Sequence, residues 1–145
     1  MRIVVLGIGN EMRGDDAAGV LVARALPSRG KRLFAIDGGS APENFTGPII
    51  KARPTHVVIV DSAWMGQEPG EIRVIEAASV DGASFSTHTL PASVLIDYLR
   101  RSIGCEAVTI GIQPAQTEYA APMTPSVARA VDLLASLLAK AGKSR

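Results

Sequence analysis

The chain has 145 residues, enough for one domain with a sizeable buried core. Its net charge of +1 gives no electrostatic case for nucleic acid or an anionic membrane surface, and no apolar run is long enough to span a bilayer. A single cysteine, Cys105, excludes an internal disulfide and thiolate zinc sites, while two histidines, His56 and His88, exclude a three-histidine site.

In chain order, residues 2–8 are β-branched and apolar almost throughout, the pattern of a parallel strand buried on both faces. No small-residue cleavage site follows this short run, so no signal peptide is expected and a cytoplasmic location is the simplest expectation. Val20, Leu21 and Ala25 then recur at helical spacing between Ala17 and Leu26, with Pro27 and Gly30 as the stop. Residues 32–37 read as a second strand. Residues 41–54 read as a helical turn or two broken by Gly47 and Pro48. Residues 55–61 form the third and most apolar strand. Residues 70–76 alternate as a strand with one wetter face, at a sheet edge. A polar loop over 77–88 leads to an amphipathic helix over 90–104, a strand over 106–114 and a closing helix over 124–142. Pro91 and Pro125 suit the first turns of these helices, and Gly104 and Gly142 their ends. Val127, Ala130, Val131, Leu134 and Leu138 form the buried stripe of the closing helix, and Lys143 to Arg145 are expected to fray. Strands alternating with helices predict one α/β domain over 1–145, a three-layer α/β/α sandwich with a mainly parallel central sheet.

Sites in such sheets form beyond the carboxyl ends of the strands. The polar groups placed there are Gly9, Asn10, Glu11, Asp15 and Asp16 after the first strand, then Asp37 to Ser40 after the second. Asp61 and Ser62 follow the third, and Ser86, Thr87 and His88 precede the helix at 90. A dinucleotide site would use Gly7-Ile8-Gly9 and an acid such as Asp37. However, Met12 occupies the third glycine position, and Asp15 and Asp16 would repel a pyrophosphate at the helix N-terminus. Helix capping accounts for one of these two aspartates and leaves the other for a second task. Asp61 alone reads as a turn residue, His88 alone as a loop histidine bonded to backbone, and His56, at a strand entrance, as structural. Together Asp16, Asp61 and His88 share one rim. Two carboxylates and an imidazole suit a divalent ion with open coordination positions, and serve equally as acid, base and orienting group without metal.

Five segments carry a resemblance over roughly residues 3 to 138: GIGNEMRGDDAAG, DGGSAPENF, VVIVDSAWMGQEPGEIRVI, STHTLP, and TIGIQP followed by PMTP. The chain resembles the nickel–iron hydrogenase maturation endopeptidases, in the branch serving the formate-hydrogenlyase hydrogenase. The resemblance implies an α/β/α peptidase that removes a C-terminal extension from a hydrogenase large-subunit precursor after nickel insertion. It implies Asp16, Asp61 and His88 as metal-contacting and catalytic residues, acting as a metal-dependent aspartic-type endopeptidase. The nickel is then supplied by the substrate, with no tight resident metal. The expected partner is that precursor; a monomer is expected, without nucleic acid or membrane insertion.

Around the trio, Gly38 and Gly39 either admit the substrate backbone closely or simply turn the chain out of a strand. Asn10 and Thr87 either orient the ligands and contact substrate or bond to local backbone. Trp64 and Met65 form an apolar lip or pack inward. Cys105 is expected to be buried and inert. Two rivals stand beside the peptidase: a nickel-sensing chaperone that binds the precursor without cutting it, and a peptidase for another hydrogenase.

Overall fold

A computed structural model of the chain describes residues 1–75, 84–85 and 92–143. Its strands are β1 Ile3–Gly7, β2 Leu33–Asp37, β3 His56–Trp64, β4 Ile72–Ile75, β5 Ser84–Phe85 and β6 Glu106–Ile112. Its α-helices are α1 Ala18–Arg24, α2 Thr46–Ala52, α3 Ala92–Ile103 and α4 Pro125–Lys143. Short 3-10 turns, Gly14–Ala17 and Pro42–Phe45, lead into α1 and α2.

The sheet runs in the order β2-β1-β3-β6-β4, with β5 added to the end of β3. Strands β2, β1, β3 and β6 are parallel, and β4 lies antiparallel on β6 at the edge. Pleating sends alternate side chains to opposite faces. Ile3, Val5, Val58 and Val60 therefore pack with Val22 of α1 and Val127, Val131 and Leu134 of α4. Val4, Leu6, Val57 and Ile59 pack on the other face with Ile49 of α2 and Leu95, Ile96 and Leu99 of α3. This is the expected three-layer α/β/α arrangement, and the stripe predicted for α4 is buried as read from its spacing.

Several local expectations are corrected. Gly47 and Pro48 do not break the helix; they lie in the first turn of α2, where the N–H that proline lacks would have no intrahelical partner. Strand β3 continues three residues past Asp61, because β5 pairs with Ala63 and Trp64 inside what read as a polar loop. Gly142 does not end α4. It lies within the helix against Leu33, where a Cβ would crowd the Leu33 side chain, and Lys143 is still helical.

Two glycines of the first motif set how close α1 comes to the sheet. A Cβ on Gly7 would overlap the Gly19 carbonyl oxygen, and one on Gly19 would overlap the carbonyls of Ile8 and Val60. Backbone meets backbone here, so the turn before α1 is held against the ends of β1 and β3. The chain leaves β1 for β2 on one side, while β3 pairs on its other side. This change of direction opens the crevice in which α/β folds place their ligands.

Candidate active site

Ile8 donates its N–H to the Val60 carbonyl at 2.8 Å, so the end of β1 remains joined to β3. Gly9, with φ of 154°, then turns the chain away, and its N–H reaches the Gly39 carbonyl at 2.9 Å. A Cβ at Gly9 would overlap the Asp16 carbonyl oxygen. Only glycine lets the 3-10 turn that carries both aspartates fold back so closely.

Asp15 and Asp16 are both buried, and their partners give them different tasks. Asp15 Oδ1 accepts from the Thr124 N–H at 2.7 Å. Its Oδ2 accepts from the Ala115 N–H at 2.8 Å, the Gln116 N–H at 3.3 Å and the Thr124 hydroxyl at 2.8 Å. The Asp15 N–H also donates to the Gln116 carbonyl at 3.0 Å. Asp15 thus fastens the segment between β6 and α4 to the first loop, and its carboxylate capacity is taken up by protein donors. Asp16 accepts only two bonds among the described residues, from the Asn10 N–H to Oδ2 at 3.1 Å and from the Ser62 hydroxyl to Oδ1 at 2.8 Å. The capping expectation is overturned, because neither the 3-10 turn nor α1 has a side-chain cap bond. Sequence spacing cannot reveal this, since the partners of Asp15 lie about a hundred residues away.

Asp61 is fully buried near the carboxyl end of β3, in register with Gly111 of β6. It continues the alternation of Val57 and Ile59, toward the α2 and α3 face. Ser62 points to the α1 side and meets Asp16, so the end of β3 carries Asp61 and, one residue on, the hydroxyl that bonds Asp16. His88 and Thr87 lie outside the described residues. Among the described residues no three His, Cys, Asp or Glu side chains cluster to hold a metal ion. His56 sits at the opposite end of β3, its Nδ1 2.8 Å from the Thr55 hydroxyl.

The remaining candidates are divided. Asn10 offers Asp16 its backbone N–H, while its side-chain Oδ1 accepts locally from the Met12 N–H at 2.9 Å. Gly39 has φ of 54° and open space where a Cβ would stand, whereas Gly38 lies against Leu6 and the Gly7 carbonyl. Asp37 is engaged by Arg24 Nε at 2.8 Å, and Arg24 also pairs with Glu11 at 2.7 Å. The hydrogen bond and charge of Arg24 hold the Glu11 carboxyl below its usual range, and both acids raise Arg24 further. Asp37, the acid a ribose would need, is thus already paired with Arg24, and Asp16 lies behind Gly9 where a pyrophosphate would approach.

Gln113 lies in the TIGIQP segment, whose sequence assigns it no task. It is buried, and its Oε1 accepts from the N–H groups of Met65 at 2.7 Å and Gln67 at 3.3 Å. It fixes the loop after β3, on which Met65 is half-buried, while Trp64, the last residue of β3, remains 41% exposed. Across the rim, Ala120 donates to the Met12 carbonyl at 2.7 Å, placing exposed Tyr119 beside exposed Met12.

A family model described as hydrogenase maturation protease (HycI) matches residues 21–141. The chain belongs to the hydrogenase maturation protease family. It is 42% identical to the hydrogenase 3 maturation protease of Escherichia coli K12, over 91% of this chain and 85% of that protein. Identity to the hydrogenase 2 maturation protease of the same strain is 28%, over 88% and 82% of the respective chains. The crystal structure of the [NiFe] hydrogenase maturation protease HycI from Thermococcus kodakarensis KOD1 superposes with a TM-score of 0.89 at 35% identity. That match covers 99% of this chain and 93% of the other.

Proposed function

We propose that this protease removes the C-terminal extension of a nickel–iron hydrogenase large-subunit precursor once nickel has been inserted. The observation that carries the reading is the division of labour in the Asp15-Asp16 pair. Asp15 is saturated by protein donors, while Asp16 is held by Ser62, the residue after Asp61 on β3, with acceptor capacity left for a ligand. Greater identity to the hydrogenase 3 protease than to the hydrogenase 2 protease favours a precursor of the hydrogenase 3 type.

In this reading nickel is part of the substrate. Asp16, Asp61 and His88 contact it, and the contact docks the scissile peptide. Two carboxylates and one imidazole form an incomplete ligand set, suited to sharing an ion already held by precursor thiolates and unsuited to retaining one tightly. A water oxygen adds to the scissile carbonyl carbon and the C–N bond breaks. The water proton passes through a carboxylate or the imidazole to the leaving amine. Gly39 leaves room beside the crevice for the substrate backbone, and Gly38, Asn10 and Thr87 are the further substrate-contacting residues of this reading. Trp64, Met12 and Tyr119 supply an apolar lip for the precursor tail. The chain acts as a cytoplasmic monomer, and none of its described helices is long and apolar enough to cross a membrane.

The test is a paired cleavage assay, using precursor with and without nickel and products read by mass spectrometry. Cleavage of the nickel form alone is expected, and Asp61→Asn and His88→Ala should abolish it with the fold intact. Cleavage of both forms would remove nickel recognition from the proposal. Binding without cleavage would make the chain a chaperone.

A further inference from the structure

We infer that Ser62 is a positioning residue for the Asp16 carboxylate, an inference that rests on the peptidase reading above. Ser62 and Asp16 are 2% and 3% exposed, and the hydroxyl donates to Oδ1 at 2.8 Å. The other oxygen, Oδ2, is held by the Asn10 N–H at 3.1 Å. The final torsion of an aspartate side chain is broad and two-fold, so one contact leaves the carboxylate free to swing. Two donors, one on each oxygen, fix its plane.

The origins of the donors matter. Asn10 belongs to a loop, whereas Ser62 belongs to β3, paired with β6 on one side and with β1 just before it. Asp61 is the preceding residue on the same strand. The bond from Ser62 therefore ties the orientation of Asp16 to the strand that carries Asp61, and sets the two carboxylates relative to one another. A buried hydroxyl is costly unless it is bonded, and the bond to Asp16 is the one side-chain hydrogen bond of Ser62 among the described residues. Packing alone would be met by alanine here. Two donors also leave Asp16 further lone pairs for substrate, unlike Asp15 with its four.

The experiment compares wild type, Ser62→Ala, Ser62→Thr and Ser62→Cys on the nickel-loaded precursor. Thermal melting and the 13Cγ resonance of Asp16 are measured alongside. Removing a group that orients a ligand-contacting residue typically costs about 10–100-fold. Ser62→Ala is expected to lose kcat by that factor with KM changed by less than about threefold. Threonine, which keeps the hydroxyl and suits a strand, should recover most of the rate and the wild-type Asp16 resonance. Cysteine, a weak donor, should fall between.

Wild-type rates in Ser62→Ala would overturn the inference. Loss of rate in the alanine and cysteine variants tracking a fall in melting temperature, with no change at Asp16, would reduce Ser62 to a structural role and also overturn it. If wild type itself leaves the precursor uncut, the peptidase reading fails. The Asp16 resonance then decides separately whether Ser62 orients the carboxylate.

Discussion

Asp15→Ala tests the reasoning most severely, because its neighbour invites the opposite guess. Asp15 is fully buried and accepts four hydrogen bonds, from three backbone N–H groups and the Thr124 hydroxyl. A hydrogen bond to a charged group contributes about 1.5–3 kcal/mol, but bonds sharing one carboxylate do not add. The donors are part-buried, so some regain water in the mutant. A net loss of about 3–5 kcal/mol is therefore expected. For a chain of this size each kcal/mol is worth about 2–4 °C, which gives a fall in Tm of about 6–20 °C. Asp15→Asn should also destabilise. In either amide orientation an NH2 faces a backbone N–H, at Thr124 or at Ala115 and Gln116. Thr124→Ala, which removes only the hydroxyl bond, should cost about 1 kcal/mol. Melting followed by circular dichroism, with urea unfolding as a check, measures all three. Asp16→Ala is the contrast: it removes two bonds, should melt closer to wild type and should be inactive. A Tm for Asp15→Ala within about 2 °C of wild type, corresponding to less than about 1 kcal/mol, would refute the assignment of Asp15 as the fastener of the 115–124 segment.

Gly9→Ala should lose both stability and cleavage, since its Cβ would displace the Asp16 backbone; retention of wild-type kcat in this variant would mean that the turn adjusts freely. Arg24 lowers the carboxyl of Glu11 below its ordinary 4.5 in the folded chain, so this contribution is complete above that value and is lost as pH falls through the lower folded one. The Tm difference between wild type and Arg24→Gln should accordingly be small, constant near neutral pH and smaller at pH about 3; it should also shrink with salt, because the groups are exposed. A difference that grew on acidification would contradict the sign. Cys105 lies in the core beneath α3, and burial pushes its thiol upward. Thiol reagents should modify it only as fast as the chain opens, and Cys105→Ser should cleave precursor at the wild-type rate; rapid labelling of the native chain would show that this part of the core is open.

Much of the fold was written in local pattern. Continuous apolar runs identified the parallel strands, and spacing identified the buried stripe of α4, because period and burial are properties a single segment carries by itself. Strand β4 was legible as an edge strand, but its faces were not. Ile72 and Val74 alternate with Glu71 and Arg73 in the sequence, yet Val74 is 61% exposed and Ile75 is the buried residue, because only the packing around β6 decides which side of an edge strand is covered. The two-residue strand β5 was not legible, since its pairing depends on the end of β3. Gly47 and Pro48 misled because composition does not say whether a breaker opens a helix or closes it.

The candidate site divides along the same line. The sequence alone determined which residue types lie beyond the strand ends, that two carboxylates stand after β1 and that another ends the apolar run of β3. These follow from chain order once the strands are parallel. Only the tertiary structure decided that Asp15 is a fastener, that Asp16 is the carboxylate with capacity to spare, and that Ser62 and Gln113 hold the crevice in shape. Adjacent aspartates are chemically identical in the sequence. Their tasks differ because hydrogen-bond donors from residues 62, 115, 116 and 124 reach one oxygen or another only after the sheet, α1 and α4 have packed.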